Sequence, residues 1–376
     1  MNATKSPRRP LWKRWWIRIV VILLAAIGAG LWYISPEPLP PPKGSGEPMQ
    51  AIVYDEYGAP DVLRLAQVER PLPGDNQLLI RIRAAAANPL DWHYMRGTPY
   101  LMRMESGYRR PVDPRLGVDV SGIVEAVGKA VTQFKPGDAV FGTANGAFAE
   151  YAITAARRVV LKPANLTFQQ AAAVPVAALT ALQALRDKGQ IQPGQKVLIN
   201  GASGGVGTFA VQIAKTMGAE VTGVCSTRNV ELVRSLGADH VIDYTQQDFT
   251  EGNERYDLII DNVFNRSLSE YRRVLGPTGR YVLIGGGGPE DNKWLGPLGA
   301  LARMWLVSLF VDQELGFMLS ATRQDDLREL AALMEAGKIR PVIDRSYALR
   351  DVPAALRYLE TGRARGKVVI MMEDAG

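Results

Sequence analysis

Two patterns of hydrophobic and polar residues follow one another along the 376-residue chain. Between residues 49 and 161, short runs with strand character are separated by Pro, Gly and Asn, and helical spacing is rare. From residue 171 onward, strand-like runs alternate with segments whose apolar residues recur at helical spacing. The first pattern predicts a mostly-β domain, and the second predicts a parallel sheet with helices on both faces.

The individual elements follow from the same patterns. Strands are predicted over 50–54, 78–84, 122–127, 138–141, 147–153 and 158–161 in the first half, and over 196–200, 220–225, 240–244, 256–263 and 280–285 in the second. Helices are predicted over 208–217, 325–335 and 354–361, with a final strand over 367–371.

A long apolar run precedes the folded part. Residues 19–34 carry no charge, and their flanking aromatic residues suit a membrane interface: Trp15, Trp16, Trp32 and Tyr33. With the residues before it, the run reaches about the 20 residues that span a bilayer core. We therefore predict a basic tail over 1–14, a transmembrane signal anchor over 15–34 and a stiff proline-rich linker over 35–48. A cleaved signal peptide is the alternative, because the run contains small residues that suit a cleavage site.

Composition and charge narrow the function classes. The chain is 47% hydrophobic and 22% charged, which is ordinary globular composition. Six of its 44 basic residues precede residue 19, and the remaining 38 equal the 38 acids, so the rest of the chain is neutral. No nucleic-acid partner is expected, because no excess of basic residues remains to attract phosphates. The one cysteine, Cys225, excludes a cysteine-rich zinc module.

The most informative local pattern surrounds a glycine-rich turn at 201–207. A predicted buried strand leads into this turn, and a predicted helix leaves it. Ala202, Gly204 and Gly207 match the spacing of the dinucleotide-binding fingerprint, with Ala in the first place. Because such a turn directs the N-terminus of a helix, with its unpaired N–H groups, above the strand, the pattern predicts a pyrophosphate site.

The end of the next strand indicates which dinucleotide binds. Enzymes that prefer NAD usually carry Asp or Glu there, where the carboxylate binds the ribose hydroxyls. This chain has Ser226, Thr227 and Arg228 instead, and these side chains could hold a 2′-phosphate. We therefore predict NADPH as the cofactor in preference to NADH.

The turn and its helix, with Gln212 and Lys215 at their expected offsets, resemble the signature of the quinone oxidoreductase and zeta-crystallin branch of the medium-chain dehydrogenase/reductase superfamily. The likeness extends over residues 49–370 through further motifs at 88–91 with Gly97, 116–122, 135–138, 146–151, 175–180, 243–244 and 366–370. The resemblance implies an α/β protein: a GroES-like, mostly-β catalytic domain (49–172 and 316–376) split around a Rossmann domain with a doubly wound parallel sheet (173–315).

The same resemblance places the cofactor in the cleft between the two domains. It implies Thr180 near the nicotinamide, residues 204–207 at the pyrophosphate and Tyr244 at the adenosine end. The predicted cofactor-binding residues are Thr180, Ala202, Ser203, Gly204, Gly205, Val206, Gly207, Ser226, Thr227, Arg228, Tyr244, Gly285, Gly286 and Lys367.

The positions that hold zinc in zinc-dependent relatives of this family carry unsuitable side chains here. Those relatives use Cys, His and Cys, and the matching positions hold Asn88, Val118 and Val176. Valine cannot ligate a metal, and an amide is a poor zinc ligand. We therefore predict a reductase without zinc, and no residue is predicted as a metal ligand.

Without a metal to polarise a carbonyl, an acceptor already activated by conjugation is expected, such as a lipophilic quinone or an α,β-unsaturated ketone or aldehyde. Four polar residues are predicted beside this acceptor: Asn88, Asp91, His93 and Tyr94. His93 stands where the family often has Tyr; it either donates a proton to the reduced product or merely lines the cleft. For Asp119, support of the nearby glycine turn is favoured over catalysis.

Several alternatives stay open at this stage. The enzyme could instead be an alcohol dehydrogenase or enoyl-thioester reductase of the same superfamily, or the chain could be a non-catalytic, membrane-tethered NADPH-binding sensor or scaffold. The apolar stretch 294–319 is expected to cover the acceptor cleft and to form a sixth strand or the edge of a homodimer. The basic tail predicts a folded domain outside the membrane, which conflicts with cytosolic NADPH, so its side is undecided. A start at Met49 would give a soluble form.

Overall fold

The computed structural model describes residues 44–286, 288 and 298–372. The predicted basic tail (1–14), the predicted membrane anchor (15–34) and most of the predicted linker lie outside the described residues. Within those described ranges, the helices are all too short or too polar to cross a bilayer.

The first part of the catalytic domain is mostly β-structure, as predicted. Its elements are β1 (Gly44–Val53), β2 (Arg64–Pro71), β3 (Gln77–Ala87), α1 (Pro89–Arg96), α2 (Arg103–Ser106), β4 (Asp119–Val127), β5 (Ala139–Thr143), β6 (Tyr151–Ala155), β7 (Val159–Leu161) and α3 (Phe168–Ala172).

The second part alternates strands and helices. Its elements are α4 (Pro175–Gln183), β8 (Lys196–Asn200), α5 (Gly205–Thr216), β9 (Glu220–Cys225), α6 (Val230–Ser235), β10 (His240–Asp243), β11 (Tyr256–Asp261), α7 (Leu268–Val274), β12 (Leu275–Leu283), α8 (Leu298–Ser308) and β13 (Glu314–Phe317). The chain ends with α9 (Gln324–Glu335), β14 (Ile343–Ala348), α10 (Val352–Glu360) and β15 (Lys367–Met371).

The Rossmann sheet has the strand order that dinucleotide-binding domains use. Among the described residues, six parallel strands pair in the order β10-β9-β8-β11-β12-β13. The order reverses at β8, and in such sheets a ligand binds at the carboxyl ends of the strands beside that point. The predicted glycine turn follows β8, so the fold puts it at the expected binding position. The stretch 294–319 supplies the predicted sixth strand, β13.

The catalytic domain is assembled from both ends of the described chain. Its larger sheet runs β14-β15-β3-β4-β5-β7, and β6 pairs with β3. β15 lies antiparallel to β3, with Val368 opposite Ala87 and Met371 opposite Ala84. Because this late strand covers the end of β3, β3 continues to Ala87, beyond the predicted end at 84.

Several boundaries differ from the sequence predictions. β1 begins at Gly44, inside the predicted linker, because it pairs with β2, a strand that was not predicted. β14 was not predicted either. β13 extends to Phe317, past the predicted domain end at 315. α9 was assigned to the returning catalytic domain, but its apolar face packs into the core beneath the Rossmann sheet: Leu327, Leu330 and Met334.

Candidate active site

Helix α1 carries the four residues predicted beside the acceptor. Asn88 follows β3 and is the N-cap of α1, and its backbone N–H donates to Asp91 Oδ2 (2.7 Å) in a capping box. Both side chains are buried, with Asn88 2% exposed and Asp91 fully enclosed. His93 and Tyr94 lie one turn further along and are partly exposed. The helix therefore brings all four predicted residues together.

A buried polar network joins Asn88 to the last strand. Asn88 Nδ2 donates to Asp119 Oδ2 (3.0 Å), and Lys367 Nζ donates to the same oxygen (3.0 Å) and to Asn88 Oδ1. The third contact of Lys367 Nζ is the carbonyl of Ala87 (3.3 Å). Asp119 is fully buried and Lys367 is 3% exposed. All three N–H donors of this ammonium are used within the protein, so Lys367 acts here as a structural cation.

Asp119 also connects this network to α4. Its Oδ1 accepts a hydrogen bond from the backbone N–H of Val176 (2.9 Å), in the first turn of that helix. One turn later, Thr180 Oγ1 donates to the Val176 carbonyl (2.6 Å) and lies 2.9 Å from Ser320 Oγ. The carboxylate at a helix N-terminus is favourable for the helix dipole. Asp119 thus fixes the helix that carries the predicted nicotinamide residue Thr180, and does more than support the adjacent glycine turn.

The side chains at the positions that hold zinc in zinc-dependent relatives do not fit a zinc ion. The side-chain amide of Asn88 is occupied on both sides, by Asp119 and by Lys367. The other two positions hold Val118 and Val176, whose side chains offer no lone pair. The Lys367 ammonium lies 3.0 Å from the Asp119 carboxylate and already supplies a positive charge at this site. Across the described ranges, no cluster of His, Cys, Asp and Glu could hold a metal ion.

The environment of His93 fixes its tautomer. Its Nδ1 lies 2.6 Å from the Thr98 carbonyl oxygen, and a carbonyl can only accept, so Nδ1 carries the proton. The ring stacks on Trp92 with 3.7 Å between ring centroids. Burial lowers the pKa of His93 below its usual 6.5, although the Thr98 bond opposes this. His93 is therefore neutral at pH 7, with Nε2 available as an acceptor, which suits it poorly to donate a proton.

Two other groups on α1 hold protons near neutral pH. Burial raises the pKa of Tyr94, with smaller contributions from Glu105 and Asp91, so its hydroxyl stays protonated. Desolvation raises the pKa of Asp91 to about 7, and the nearby Asp119 charge adds to this, while the Asn88 N–H and Lys367 oppose it. Of the four predicted residues, Tyr94 is the one that is partly exposed and also keeps its hydroxyl proton, as a proton donor must.

The glycine turn has the geometry of a phosphate cradle. Gly201 adopts φ = +77°, a left-handed conformation that side chains disfavour. A Cβ on Gly207 would lie 2.1 Å from the Gly201 carbonyl oxygen, so only glycine permits this approach of turn and helix. Gly204 caps α5, and a Cβ there would meet nothing closer than 3.5 Å. The space above Gly204 is therefore open for a pyrophosphate at the helix N-terminus.

The polar residues around the turn are bonded to one another. Asn229 Nδ2 donates to Ser203 Oγ (2.9 Å) and lies 3.3 Å from Ser226 Oγ, so it joins the turn to the end of β9. Sequence reasoning missed Asn229, which is 5% exposed and whose Oδ1 has no partner within the described residues. Ala202 is buried under the turn and Val206 is partly buried. These two shape the cradle through their backbones.

The adenosine end is more basic than the sequence pattern suggested. Arg228 is exposed, and its Nη2 donates to the backbone carbonyl of Arg363 (2.6 Å), which brings a second arginine beside it. Within the described residues, neither guanidinium pairs with a carboxylate. Thr227 is less available than predicted, since its hydroxyl donates to Asp243 Oδ2 (2.6 Å). Tyr244 is 48% exposed at the same end of the sheet.

The remaining predicted cofactor residues lie at the edges of this site. Gly285 and Gly286 follow β12, and Gly286 has φ = +148° with Phe264 Cβ 2.4 Å from where its own Cβ would lie. Lys367 was predicted along the cleft; its ammonium is instead buried in the Asp119 network, and its stem approaches Gly205 (3.1 Å from a Cβ built there). Ser320, which contacts Thr180, was not predicted, because only the fold brings it there.

Comparison with known proteins gives the same assignment as the geometry. A family model described as "Alcohol dehydrogenase GroES-like domain" matches residues 74–164, and one described as "Zinc-binding dehydrogenase" matches residues 236–370. The chain is 35% identical to "NAD(P)H oxidoreductase RTN4IP1, mitochondrial" of Mus musculus, over 92% of this chain and 96% of that protein. It is 33% identical to "Quinone oxidoreductase" of Sus scrofa, over 86% and 98%.

A solved structure, the quinone oxidoreductase from Coxiella burnetii, superposes with a TM-score of 0.75 at 30% identity, covering 87% of this chain and all of that one. The split catalytic domain, the Rossmann strand order and the glycine cradle define a nicotinamide-dependent oxidoreductase. With these relatives, the chain belongs to the quinone oxidoreductase branch of the medium-chain dehydrogenase/reductase superfamily. The words "zinc-binding" in one family description do not transfer, because the residues at the zinc positions do not fit the metal.

Proposed function

We propose that this protein is a zinc-independent reductase that uses NADPH to transfer a hydride to a conjugated carbonyl acceptor, a quinone or an α,β-unsaturated ketone or aldehyde. The observation that carries the proposal is the buried contact of Asn88 with Asp119 and Lys367, at the place where zinc-dependent relatives bind their metal. A site without a Lewis acid favours an acceptor that conjugation has already activated. The names of the quinone oxidoreductase relatives are consistent with this choice.

The preference for NADPH rests on Arg228 and Arg363. Both are exposed beside the end of β9, and within the described residues neither is neutralised by a carboxylate. A 2′-phosphate at this place would gain charge-assisted hydrogen bonds, each contributing about 1.5–3 kcal/mol. The acid closest to the strand end, Asp243, is held by Thr227 and Thr245, so its oxygens are already engaged.

The cofactor preference is tested by charge reversal at one residue. Arg228→Glu should lower kcat/KM for NADPH about 10- to 100-fold and change the value for NADH much less, since 1.4 kcal/mol corresponds to tenfold. Arg234→Glu is the matched control: it makes the same charge change on α6, where its partner is the exposed Glu231. Equal losses with NADPH and NADH in Arg228→Glu would rule out a 2′-phosphate site.

The bound dinucleotide supplies the hydride, and this chain supplies position and a proton. Asp119 holds the first turn of α4 through the Val176 N–H and so fixes Thr180 near the predicted nicotinamide site. The buried Asn88 side chain is held by Asp119 and Lys367 and is shielded from solvent. The raised pKa of Tyr94 keeps its hydroxyl protonated, so it can donate to an enolate or hydroquinone oxygen.

Tyr94 and His93 can be separated by substitution. Tyr94→Phe should lower kcat for the proton-requiring reduction by about 100-fold or more, as expected for a lost general acid, with little change in the KM for NADPH. His93→Gln should leave turnover nearly unchanged between pH 7 and 8, because burial lowers the pKa of His93 and keeps the ring neutral there. A pH-dependent loss in His93→Gln with none in Tyr94→Phe would reverse the two assignments.

The acceptor class is decided by direct comparison of substrates. A water-soluble quinone, a 2-alkenal, a primary alcohol with NADP and a 2-enoyl thioester should be assayed side by side with the same enzyme. We expect the highest kcat/KM with the quinone or the alkenal. Highest activity with the alcohol or thioester would favour an alcohol dehydrogenase or enoyl-thioester reductase, and NADPH binding without turnover of any acceptor would favour a sensor or scaffold.

Membrane attachment through residues 15–34 and a lipophilic acceptor remain part of the proposal. The full chain should sediment with membranes after an alkaline wash, and a protein beginning at residue 44 should not. Protease protection of the folded domain in sealed vesicles would determine its side. β13 is the edge strand of the Rossmann sheet, so the proposed homodimer can be tested by measuring the mass of the protein in solution.

A further inference from the structure

A cavity of about 450 Å³ opens on the catalytic domain beside the returning segment that precedes α9. Thr322 of that segment forms one wall, and its hydroxyl lies 3.1 Å from Thr143 Oγ1 at the end of β5. The other polar residues that line the cavity are Gln77, Arg115, Asn145, Thr154, Arg157 and Arg158. None of them belongs to the predicted cofactor residues or to the network around Asp119.

The lining offers many N–H donors and few acceptors. Of its nine residues, three are arginines, and none of the nine described residues is Asp or Glu. The side-chain oxygen of Gln77 already accepts from the Gly74 backbone N–H (2.9 Å), and that of Asn145 lies 3.5 Å from Arg158 Nη1. The amide N–H groups of these two residues therefore remain to bind a ligand. A cavity of this kind is complementary to an anion.

Two of the three arginine charges are not compensated by the protein. Arg115 binds Asp113 through Nε (2.8 Å) and Nη2 (2.7 Å), which neutralises it and orients its fork. Arg157 and Arg158 are consecutive, and within the described ranges neither pairs with a carboxylate. Burial lowers the pKa of Arg158, and the charge of Arg157 adds to this. Arg158 is partly buried and Arg157 is exposed, and their neighbouring positive charges repel each other unless an anion binds near both.

We propose that this cavity binds the phosphate group of a ligand other than the nicotinamide cofactor. Arginine forks match phosphate oxygens in geometry, and a doubly charged phosphate would offset Arg157 and Arg158 together. The volume of about 450 Å³ is within the range that holds a small phosphorylated molecule. Thr322 lines the same cavity, and its hydroxyl can donate to a phosphate oxygen when Thr143 donates to it.

The cavity is linked to the active site by three consecutive residues. Thr322 lines the cavity, the backbone of Ala321 binds the side chain of Gln183, and Ser320 Oγ lies 2.9 Å from Thr180 Oγ1. A ligand in the cavity therefore contacts one end of a short segment whose other end contacts the residue predicted beside the nicotinamide. The proposal concerns binding and does not depend on which acceptor the enzyme reduces.

The test measures phosphate binding with the cofactor cleft filled. Full-length protein saturated with NADPH is titrated with glycerol 3-phosphate and with inorganic phosphate by calorimetry. Arg157→Ala/Arg158→Ala should weaken glycerol 3-phosphate binding by at least about tenfold, since charge-assisted hydrogen bonds are lost. The control, Arg64→Ala/Lys129→Ala, removes two exposed charges from the same domain, each paired with an exposed aspartate, and should stay within about twofold of the wild type.

A second variant shows whether a loss of binding in the alanine pair comes from misfolding. Arg157→Lys/Arg158→Lys keeps both charges but removes the forks, so it should bind with intermediate affinity and melt like the wild type. Vesicles of phosphatidylcholine with and without phosphatidylglycerol distinguish the source of the phosphate. A gain in vesicle binding that requires phosphatidylglycerol and is lost only in the alanine pair identifies a lipid headgroup, and soluble binding alone identifies a free phosphate ester; both support the site.

Three results would overturn the proposal. The first is that neither phosphate probe binds the wild-type protein and that phosphatidylglycerol does not increase its binding to vesicles. The second is an equal loss of binding in the alanine pair and in the control pair, which would indicate general electrostatic attraction. The third is binding that excess NADPH abolishes, which would assign the phosphate to the cofactor site.

Discussion

The pair of Asp119 and Lys367 is buried more completely than any other ion pair described for this chain, with side chains 0% and 4% exposed. Burying two charges is costly, and their attraction offsets this cost only when hydrogen bonds satisfy the remaining donors and lone pairs. Here Asn88, Ala87 and the Val176 N–H supply those bonds. The pair can therefore stabilise the site without zinc, while each partner depends on the other.

Removing the cation should be strongly destabilising. Lys367→Met leaves Asp119 charged and buried without its partner, and we expect the free energy of unfolding to fall by about 3–5 kcal/mol. Lys196→Met, which breaks an exposed pair with Glu254, should cost less than about 1 kcal/mol. Urea unfolding of both variants measures the difference. A loss in Lys367→Met no larger than in this control would show that the buried pair is unimportant for stability.

Asp91 should make the stability of the protein depend on pH. Burial, its largest perturbation, raises its folded-state pKa to about 7 from 3.8, so the native state keeps a proton that the unfolded state has released. Between these two values, the contribution of Asp91 to stability decreases as the pH rises. Asp119 and Lys367 are the charged groups that face it, and their effects oppose each other.

Asp91→Asn should remove this dependence, since Asn retains an acceptor for the Asn88 N–H but does not ionise. As the pH rises from 4.5 to 7.5, the unfolding free energy of the variant should therefore rise relative to that of the wild type by on the order of 3 kcal/mol. Denaturant unfolding at several pH values in that interval gives the comparison. Parallel pH profiles for both proteins would mean that Asp91 is ionised throughout the native state.

At the level of single elements, Gly204 and Gly207 of the glycine turn are required for different reasons. A Cβ at Gly207 would collide with the Gly201 carbonyl at 2.1 Å, and a Cβ at Gly204 would collide with nothing in the protein. Gly207→Ala should therefore lower the unfolding free energy by about 2 kcal/mol or more, as overpacking does. Gly204→Ala should melt like the wild type but bind NADPH about tenfold more weakly. Thermal melting and cofactor titration test the two effects, and identical behaviour of the variants would contradict them.

The strands show which parts of the fold could be predicted from the sequence. β8, β9 and β15 have the predicted bounds because their signals are local: buried apolar runs bordered on at least one side by glycine or a polar residue. β2 and β14 were missed, since their stability as strands comes from neighbours that only the folded sheet provides. A strand with a half-exposed, mixed pattern carries little signal of its own.

The site was predictable to a similar extent. The glycine cradle was located from its spacing, because all its parts lie within one strand-turn-helix unit. The role of Lys367 could not be predicted from the sequence, since its partner Asp119 lies 248 residues away. Thr227 was expected to face the cofactor, and no local pattern revealed that Asp243 on the neighbouring strand would accept its hydroxyl. Asn229 was missed for the same reason, as its contacts with Ser203 cross between elements.

For the whole molecule, the described N-terminal extension adds little to the folded body. Residues 45–48 of β1 are exposed, whereas Met49 is buried against the β1-β2 hairpin and β6 region. A protein beginning at Met49 should therefore melt within about 3 °C of one beginning at residue 44, since only exposed contacts such as Arg70–Glu47 are lost. Differential scanning calorimetry of the two proteins checks this. A much larger loss would mean that the exposed part of β1 is essential to the sheet.

The late position of β15 has a consequence for synthesis on the ribosome. The Rossmann strands occupy one continuous stretch and can pair as soon as they emerge, because domains generally fold as units during translation. The catalytic sheet cannot be completed at that time, because β3 pairs with a strand that begins at Lys367. Until then, the nascent chain holds Asp119 without its cation. The active site is thus assembled last, around a cofactor-binding domain that already exists.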